Sequence, residues 1–474
     1  MYARELAEED IQHAAEQFVS DLFRRNATLS EGPVIHEIDD AAIEKIQRDG
    51  VPEEGRPLDE VVREMQDSVI GYGYNADHAR FMGFVPGPTS AVSWLGEVMA
   101  AGYNRHAGSF ANYPAGCVAE NELLKWFADK AGFPEEAGGI FVSGGSMANM
   151  TALAAARDAM LHEDAWSAGV VYVSDQTHSS VAKALHIIGI KREHVRIIPC
   201  DEHFRMDVDK LADAIDMDRR SGLVPFVVVA TAGSTNTGSV DPLERIGQVC
   251  RDKGLWMHVD GAFGASALLT RHRDMLRGIE MADSLSWDAH KWLFQTYSCG
   301  MVLVRDRATL LKSFSTHPEY LRDLEGSQLP NPWDMGPELT RPARGLKLWF
   351  TVQVMGSRGL SEAIEHGFEL ARWAEDELRR DPDAQVVSPA QMAMVCFRFA
   401  PRGVPAEKLD ELNARVSRRM LESNYAGIFT TELNGMKVLR ICAIHPRAKE
   451  EDVRSTVQML GRMSREVALE MQGE

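Results

Sequence analysis

From Gly138 to about Val304 the chain keeps returning to one local pattern: a short apolar run, a polar turn, then a helix. "GGIFVSGGSMANMTALAAARDAM" opens as a strand, turns at Gly144-Gly145-Ser146 and continues as a long Ala-rich helix. "GVVYVSDQTHSSVAKALHIIG" repeats that layout, as do "VRIIPC" with "DVDKLADAIDMDRRSG" and "PFVVVATAGSTNTGSVDPLERIGQVCRDKG". "LWMHVDGAFGASALL", "SLSWDAHKW" and "CGMVLVRD" add further short strands. Strands that are apolar throughout need cover on both faces, and strands separated by helices pair in parallel. The pattern predicts an α/β fold, a mainly parallel sheet with helices on both sides.

The flanks read differently. Residues 1–75 hold short amphipathic helices with too few apolar positions for a core of their own. Ile11, Ala14, Phe18 and Leu22 mark the first, "IDDAAIEKIQ" the second, and a third follows Asp59, a candidate cap. Such an arm packs on another domain or another subunit. Residues 76–355 form the large domain. A long helical stretch breaks near Gly356, and residues 356–474 alternate strands and helices as a small α+β domain. Asn434-Gly435 within it carries a hairpin signal.

A net charge of −19 disfavours nucleic acid and anionic membranes as partners. No apolar run approaches a membrane span, and the polar, acidic start lacks the features of a signal peptide. The six cysteines are scattered without a Cys-x-x-Cys pair. Reduced thiols in a cytoplasmic protein are the expectation, with no metal site.

Ligands of open α/β sheets bind beyond the carboxyl ends of the strands, so what each strand delivers there decides the chemistry. The first delivers Gly144-Gly145-Ser146 before a helix: a phosphate cradle, or simply a tight turn with a cap. A Walker lysine is absent, which disfavours a nucleotide loop. Another strand delivers His178, which can stack on a planar ligand or cap its helix. Another delivers Thr231 ahead of the donor-rich "AGSTNTG". The next ends at Asp260, a carboxylate at the edge of a dry sheet that needs a partner. Ala262, two residues on, is small enough to let a flat ring lie against it. The last delivers His290 and Lys291 between Trp287 and Trp292. A lysine among aromatics, with few polar neighbours, has its charged form disfavoured and becomes a Schiff-base nucleophile, unless it snorkels to solvent. A phosphate cradle, a stacking ring, an anion for a ring nitrogen and a reactive amine together match pyridoxal 5′-phosphate.

These residues also carry a resemblance. "SWDAHKW", "HVDGAFG" and "SDQTHSS" resemble the lysine, aspartate and histidine motifs of the pyridoxal phosphate decarboxylases of fold type I, the aromatic L-amino-acid and glutamate decarboxylase group. "FVPGPTSAVSWLGEVM", "VSGGSMAN", "ELTRPARGLKLW" and "LRICAIHP" are most similar to the gut-bacterial tryptophan decarboxylases within it. The resemblance runs from about Ala76 to the C-terminus. It implies that Lys291 carries the cofactor and that Asp260 keeps its pyridine nitrogen protonated. It implies too that His178 stacks on the ring, that Gly145, Ser146 and His290 bind phosphate, and that Thr231 and Ala262 line the cofactor. Tyr320, in a Pro/Gly-containing lid, would be the proton donor that separates amine formation from aldehyde formation. Phe84, His106, Leu321, Trp333 and Leu339 would hold the substrate ring. Asn112 stands where an apolar residue is expected, so phenylalanine, tyrosine or a substituted indole are expected substrates beside tryptophan. The resemblance further implies an interlocked homodimer with shared active sites. An aldehyde synthase or aminotransferase of the same fold is the nearest alternative. A regulator that binds the cofactor without catalysis lacks support, because no DNA-binding segment is present and Lys291, Asp260, His178 and Tyr320 are intact.

Overall fold

The computed structural model describes residues 7–316 and 329–473. Its first elements are α1 (Glu8–Thr28), α2 (Asp40–Asp49) and α3 (Leu58–Glu64), with a two-residue antiparallel pair, β1 (Ile35–His36) and β2 (Gly73–Tyr74). None of the three helices buries a single residue. Of the apolar positions of α1, Ile11 and Phe18 stay exposed, while Ala14 and Leu22 are half-buried. Asp59 does not cap α3: the helix starts one residue earlier, with Pro57 at its N-cap. Its carboxylate instead sits in the first turn, where it favours the helix dipole and pairs with Arg63 at 2.9 Å.

Two helices, α4 (Ala91–Tyr103) and α5 (Pro114–Lys130), lead into the alternating region. It runs β3 (Gly138–Val142), α6 (Gly145–Met160), β4 (Gly169–Ser174), α7 (Ser179–Ile187), β5 (Val195–Ile198) and α8 (Val208–Arg220). It continues with β6 (Val224–Thr231), α9 (Leu243–Lys253), β7 (Trp256–Asp260), β8 (Ser284–Asp288), β9 (Gly300–Val304) and α10 (Ala308–Phe314). The strands form one seven-stranded sheet in the order β3-β9-β8-β7-β6-β4-β5. Strands β5, β4, β6, β7 and β8 pair in parallel; β9 is antiparallel to both β8 and β3. The expected α/β class is therefore what forms, with a single reversed strand.

Why apolar side chains point from both faces of a strand is visible in β6. Val228 and Ala230 join the core beneath α5, α8 and α9, while Val227 and Val229 join the core against α7. The Ala-rich face of α6 (Ala148, Ala152, Ala155) packs on Ile140, Val142 and Val302. Small side chains there let the helix lie close to the sheet, which matters because its first turn has to reach the strand ends.

A long helix, α11 (Leu346–Leu378), follows and is kinked at Gly356, whose φ of 68° departs from helical geometry. Beyond it lie β10 (Ala384–Gln391), β11 (Met394–Phe399), α12 (Leu409–Glu422), β12 (Phe429–Leu433), β13 (Met436–Cys442) and α13 (Glu450–Gly473). The strands make an antiparallel sheet in the order β10-β11-β13-β12. Asn434 and Gly435 join β12 to β13 with φ of 53° and 72°, the left-handed pair that a type I′ hairpin requires. Among the described residues no helix is long and apolar enough to cross a membrane.

One buried histidine ties the segment after β13 to the loop ahead of α4. His445 accepts from the Arg447 N–H on Nδ1 at 3.1 Å, so Nε2 carries the proton and donates to the Asp77 carbonyl at 2.9 Å. Burial, aided by Arg447, pushes its pKa down to about 4 from the ordinary 6.5. A depressed folded-state pKa means stability that is complete above about 6.5 and lost as pH falls toward 4, because the unfolded chain takes up the proton first. His445→Gln is expected to flatten the fall in urea midpoint of the cofactor-free protein between pH 7 and pH 4.5, by up to about 3 kcal/mol of stability. An unchanged slope would show that His445 does not titrate on unfolding.

Candidate active site

The parallel register puts three polar residues in one row at the carboxyl ends of adjacent strands. Thr231 on β6 is paired with Asp260 on β7, and Asp260 with Ser286 on β8. Asp260 is 6% exposed. Its carboxylate accepts from Asn149 Nδ2 at 2.9 Å, Ser286 Oγ at 3.2 Å and the Ala262 N–H at 3.2 Å. All three donors are neutral. Thr231 is buried too, and its Oγ1 has no hydrogen-bond partner among the described residues.

Beside this row α6 begins. No side chain caps its N-terminus. Its approach to the strands leaves no room for a side chain. A Cβ on Gly145 would lie 2.8 Å from Asp288 Oδ2 and 3.1 Å from Ala262 Cβ; one on Gly144 would lie 2.9 Å from His290 Cε1. These glycines are required by close approach, and they leave backbone N–H groups facing open space at the positive end of a helix.

The lysine turn completes the site. Trp287 and Trp292 anchor it in the core, Trp287 edge-on against Phe127 and Trp292 stacked on Phe263. The surroundings of Lys291 differ from the sequence expectation of few polar neighbours. Its ammonium lies 3.3 Å from Asp288 Oδ2, and Asp288 is 2% exposed. The tryptophans face the core, and the polar partner is three residues upstream in the same motif. Sequence reasoning passed over Asp288, although its spacing from Lys291 in "WDAHK" was the signal. His290 stacks at a tilt on Tyr297, and its Nδ1 lies 3.0 Å from the Cys299 carbonyl. Its Nε2 faces the same Asp288 oxygen at 3.6 Å. Burial holds the His290 pKa below the usual imidazole value, with Asp288 pulling the other way.

All eight residues expected at the cofactor line one cavity of about 430 Å³: Gly145, Ser146, His178, Thr231, Asp260, Ala262, His290 and Lys291. His178 is exposed and sits at the N-cap of α7, where its Nδ1 accepts from the Ser180 N–H at 3.2 Å. It thus has the capping role open to it from sequence and lines the cavity as well. Asn149, Ser180 and Asp288 line the same space and were not expected.

The expected substrate-ring residues lie elsewhere. His106 and Trp333 meet edge-on at 6.0 Å around Gly108, whose Cβ would strike the Leu339 carbonyl as well. Phe84, 51% exposed with a positive φ, belongs to a separate aromatic cluster with Phe429, Tyr74 and Phe81. Asn112 is exposed in the turn before α5. Within one chain none of these five lines the cavity. Tyr320 and Leu321 lie outside the described residues.

A carboxylate with only neutral donors, an orphaned hydroxyl, an uncapped helix N-terminus and a primary amine converge on one space. That donor set fits a ring nitrogen, a phosphate and an aldehyde, and with this sheet order it defines a fold-type-I pyridoxal 5′-phosphate enzyme. The comparisons with known proteins are narrower. The pyridoxal-dependent decarboxylase conserved domain matches residues 42–400, and the chain belongs to the pyridoxal-dependent decarboxylase family. It is 36% identical over 469 residues to an aromatic-L-amino-acid decarboxylase of Bacillus atrophaeus, with 98% of both chains covered. It is 29% identical over 462 residues to a phenylacetaldehyde synthase of Arabidopsis thaliana, with 94% of both covered. The crystal structure of Oryza sativa TDC with PLP and tryptamine superposes with a TM-score of 0.93 at 28% identity, covering 99% of this chain and 100% of that one.

The glycine cradle gives a direct test. Gly145→Ala is expected to weaken cofactor binding, measured by fluorescence titration of the cofactor-free protein, by roughly tenfold or more, about one hydrogen bond to a charged group. Wild-type affinity in that variant would mean that the first turn of α6 does not hold the phosphate.

Proposed function

We propose that this protein decarboxylates an aromatic L-amino acid to the corresponding arylalkylamine, with tryptophan first and phenylalanine or tyrosine also accepted. The observation that carries the reading is the convergence of Lys291, Asp260, His178, Thr231 and the Gly144-Gly145-Ser146 turn on one cavity. The B. atrophaeus relative, an aromatic-L-amino-acid decarboxylase, and the tryptamine complex of the O. sativa structure support the substrate class.

Pyridoxal 5′-phosphate, when bound, supplies the electron sink that takes up the bonding electrons left by departing carbon dioxide. The residues do the rest. Lys291 would hold the aldehyde carbon through Nζ until a substrate amine takes its place. Asp260 would turn its carboxylate charge toward the pyridine nitrogen and hold the proton there. Three neutral donors stabilise that charge without neutralising it. The N–H groups of Gly145 and Ser146, with His290, bind the phosphate; Thr231 and Ala262 orient the ring, and His178 covers its face. Asp288 pairs with the Lys291 ammonium and keeps the amine at the mouth of the cavity. Tyr320 donates the proton to the carbon that has lost carbon dioxide.

The substrate ring is held by Phe84, His106, Asn112, Leu321, Trp333 and Leu339. The described residues among them line no part of the cavity in one chain, so a second copy completes the pocket. A homodimer with shared sites also accounts for α1, whose Ile11 and Phe18 are uncovered within its own chain.

The second reading is an aldehyde synthase, favoured by the A. thaliana relative. Tyr320 and His178, both present, favour the amine. Mass-spectrometric screening of the common amino acids should find tryptamine, phenethylamine or tyramine with equimolar carbon dioxide. Turnover of glutamate or diaminobutyrate in their place would overturn the substrate class. Tyr320→Phe should lose most amine and gain aldehyde, peroxide and ammonia at the expense of dioxygen. Full amine yield in that variant would remove Tyr320 as the proton donor.

A further inference from the structure

Three buried polar side chains next to the cavity have more to them than the donor contact of Asn149 to Asp260: Asn149, Ser180 and His258. Asn149 lies one turn into α6, four residues after Gly145. Its Nδ2 is 2.9 Å from Asp260 Oδ2 and 3.1 Å from Ser180 Oγ. Its Oδ1 is 3.0 Å from His258 Nε2. A carboxylate only accepts, so Nδ2 must be the atom that faces Asp260, and the amide cannot be turned over.

From that fixed amide the proton positions follow in both directions. Asn149 Oδ1 accepts, so His258 carries its proton on Nε2. Its Nδ1 accepts from Ser284 Oγ at 2.8 Å, and Ser284 Oγ accepts from Trp256 Nε1 at 2.8 Å. His258 is fully enclosed, and burial, opposed by Asp260, pushes its pKa down to about 4; the ring is neutral at pH 7. On the other side, His178 Nδ1 accepts from the Ser180 N–H at 3.2 Å and carries no proton. Ser180 Oγ, 2.8 Å from the same nitrogen, must therefore donate to it. Its lone pairs are then free for Asn149. The chain of bonds reads from Trp256 through Ser284 to His258 and from His258 to Asn149. Asn149 then donates twice, to Asp260 and, by way of Ser180, toward His178. No hydrogen in it has an alternative place.

We propose that Asn149 is a positioning residue of this active site: it ties Asp260 to His178 through Ser180, whose N–H and hydroxyl both address His178 Nδ1 and so keep that ring's proton on Nε2. The proposal rests on the reading of Asp260 and His178 as the groups at the ring nitrogen and ring face. Its consequence is that the two groups touching the cofactor ring from different strands move as one unit. It also leaves a single hydrogen-bonding group on His178, the Nε2–H donor, for a ligand in the cavity.

The test has two arms. Long-range proton–nitrogen correlation of cofactor-free protein carrying 15N-histidine, at pH 7, should show His178 with Nδ1 bare and Nε2 protonated. The signal is assigned by its loss in His178→Asn. A proton on Nδ1, or on both nitrogens, overturns the tautomer and with it the direction of the chain. This arm needs neither cofactor nor turnover, so a failed amine screen would sink the functional reading and leave it standing. The second arm titrates cofactor into Asn149→Ala, Ser180→Ala and the double variant. Each single change should weaken binding roughly tenfold or more. The double variant should lose less than the sum of the two single losses, because Asn149 reaches His178 only by way of Ser180. Additive losses, or wild-type affinity in Asn149→Ala, would overturn the coupling. If Asn149→Ala does not fold, the tautomer measured on the unaltered protein decides.

Discussion

A carboxylate buried at the end of a dry sheet, with no cation beside it among the described residues, is the constraint from which the site follows. Asp260 is surrounded by an amide, a hydroxyl and a backbone N–H. Those donors keep the charge tolerable but do not cancel it, and an uncompensated buried ion is costly. The positive counterpart has to come from the cavity side. A protonated ring nitrogen meets that need while gaining the proton that makes the ring an electron sink. The neutral state of His258, two residues before Asp260 on the same strand, belongs to the same arrangement. A protonated His258 would provide a cation near Asp260 and weaken its claim on the cofactor.

The second buried carboxylate, Asp288, sits in a different balance. It has Lys291 at 3.3 Å and His290 at 3.6 Å, two groups that can both carry positive charge, and it lies under the first turn of α6. The two aspartates divide the cavity into an end that waits for a cation and an end where the Lys291 ammonium already lies close to a helix N-terminus. A ligand with a protonated ring at one end and a phosphate near the other enters in one orientation only.

Much of this was legible in the sequence because the fold is read through strand ends. Each apolar run of the alternating region fixes a direction, and the residue after it falls at the carboxyl edge, so Thr231, Asp260 and Lys291 could be placed together before any coordinates. The Asn434-Gly435 hairpin and the Gly356 kink were legible for the same kind of reason, since glycine adopts left-handed backbone where other residues are strained. Asn149 and Ser180 were not, because within the first five residues of a helix a polar residue reads equally well as a surface position. Asp288 was missed because two tryptophans suggested a dry pocket, and those rings turned out to face the core. The residues expected at the substrate ring could not be located from periodicity at all. Among the described ones Phe84 lies in one aromatic cluster, His106 and Trp333 meet in another and Asn112 sits in a turn, so nothing local in the chain joins them.

That contrast bears on how a catalyst of this shape can diversify. At the cofactor end Gly144, Gly145 and Gly300 approach their neighbours so closely that any side chain would collide, at Gly300 with both Asp288 and the Gly144 backbone. Nearly every first-step change there is ruled out by volume alone. Phe84, Asn112 and Leu339 stand exposed on loops where a substitution displaces little within its own chain. On the proposed reading of those loops, inheritance can therefore rewrite which ring is recognised while the chemistry at the other end is passed on unaltered. One scaffold can thus give rise to many amines by drift at its rim.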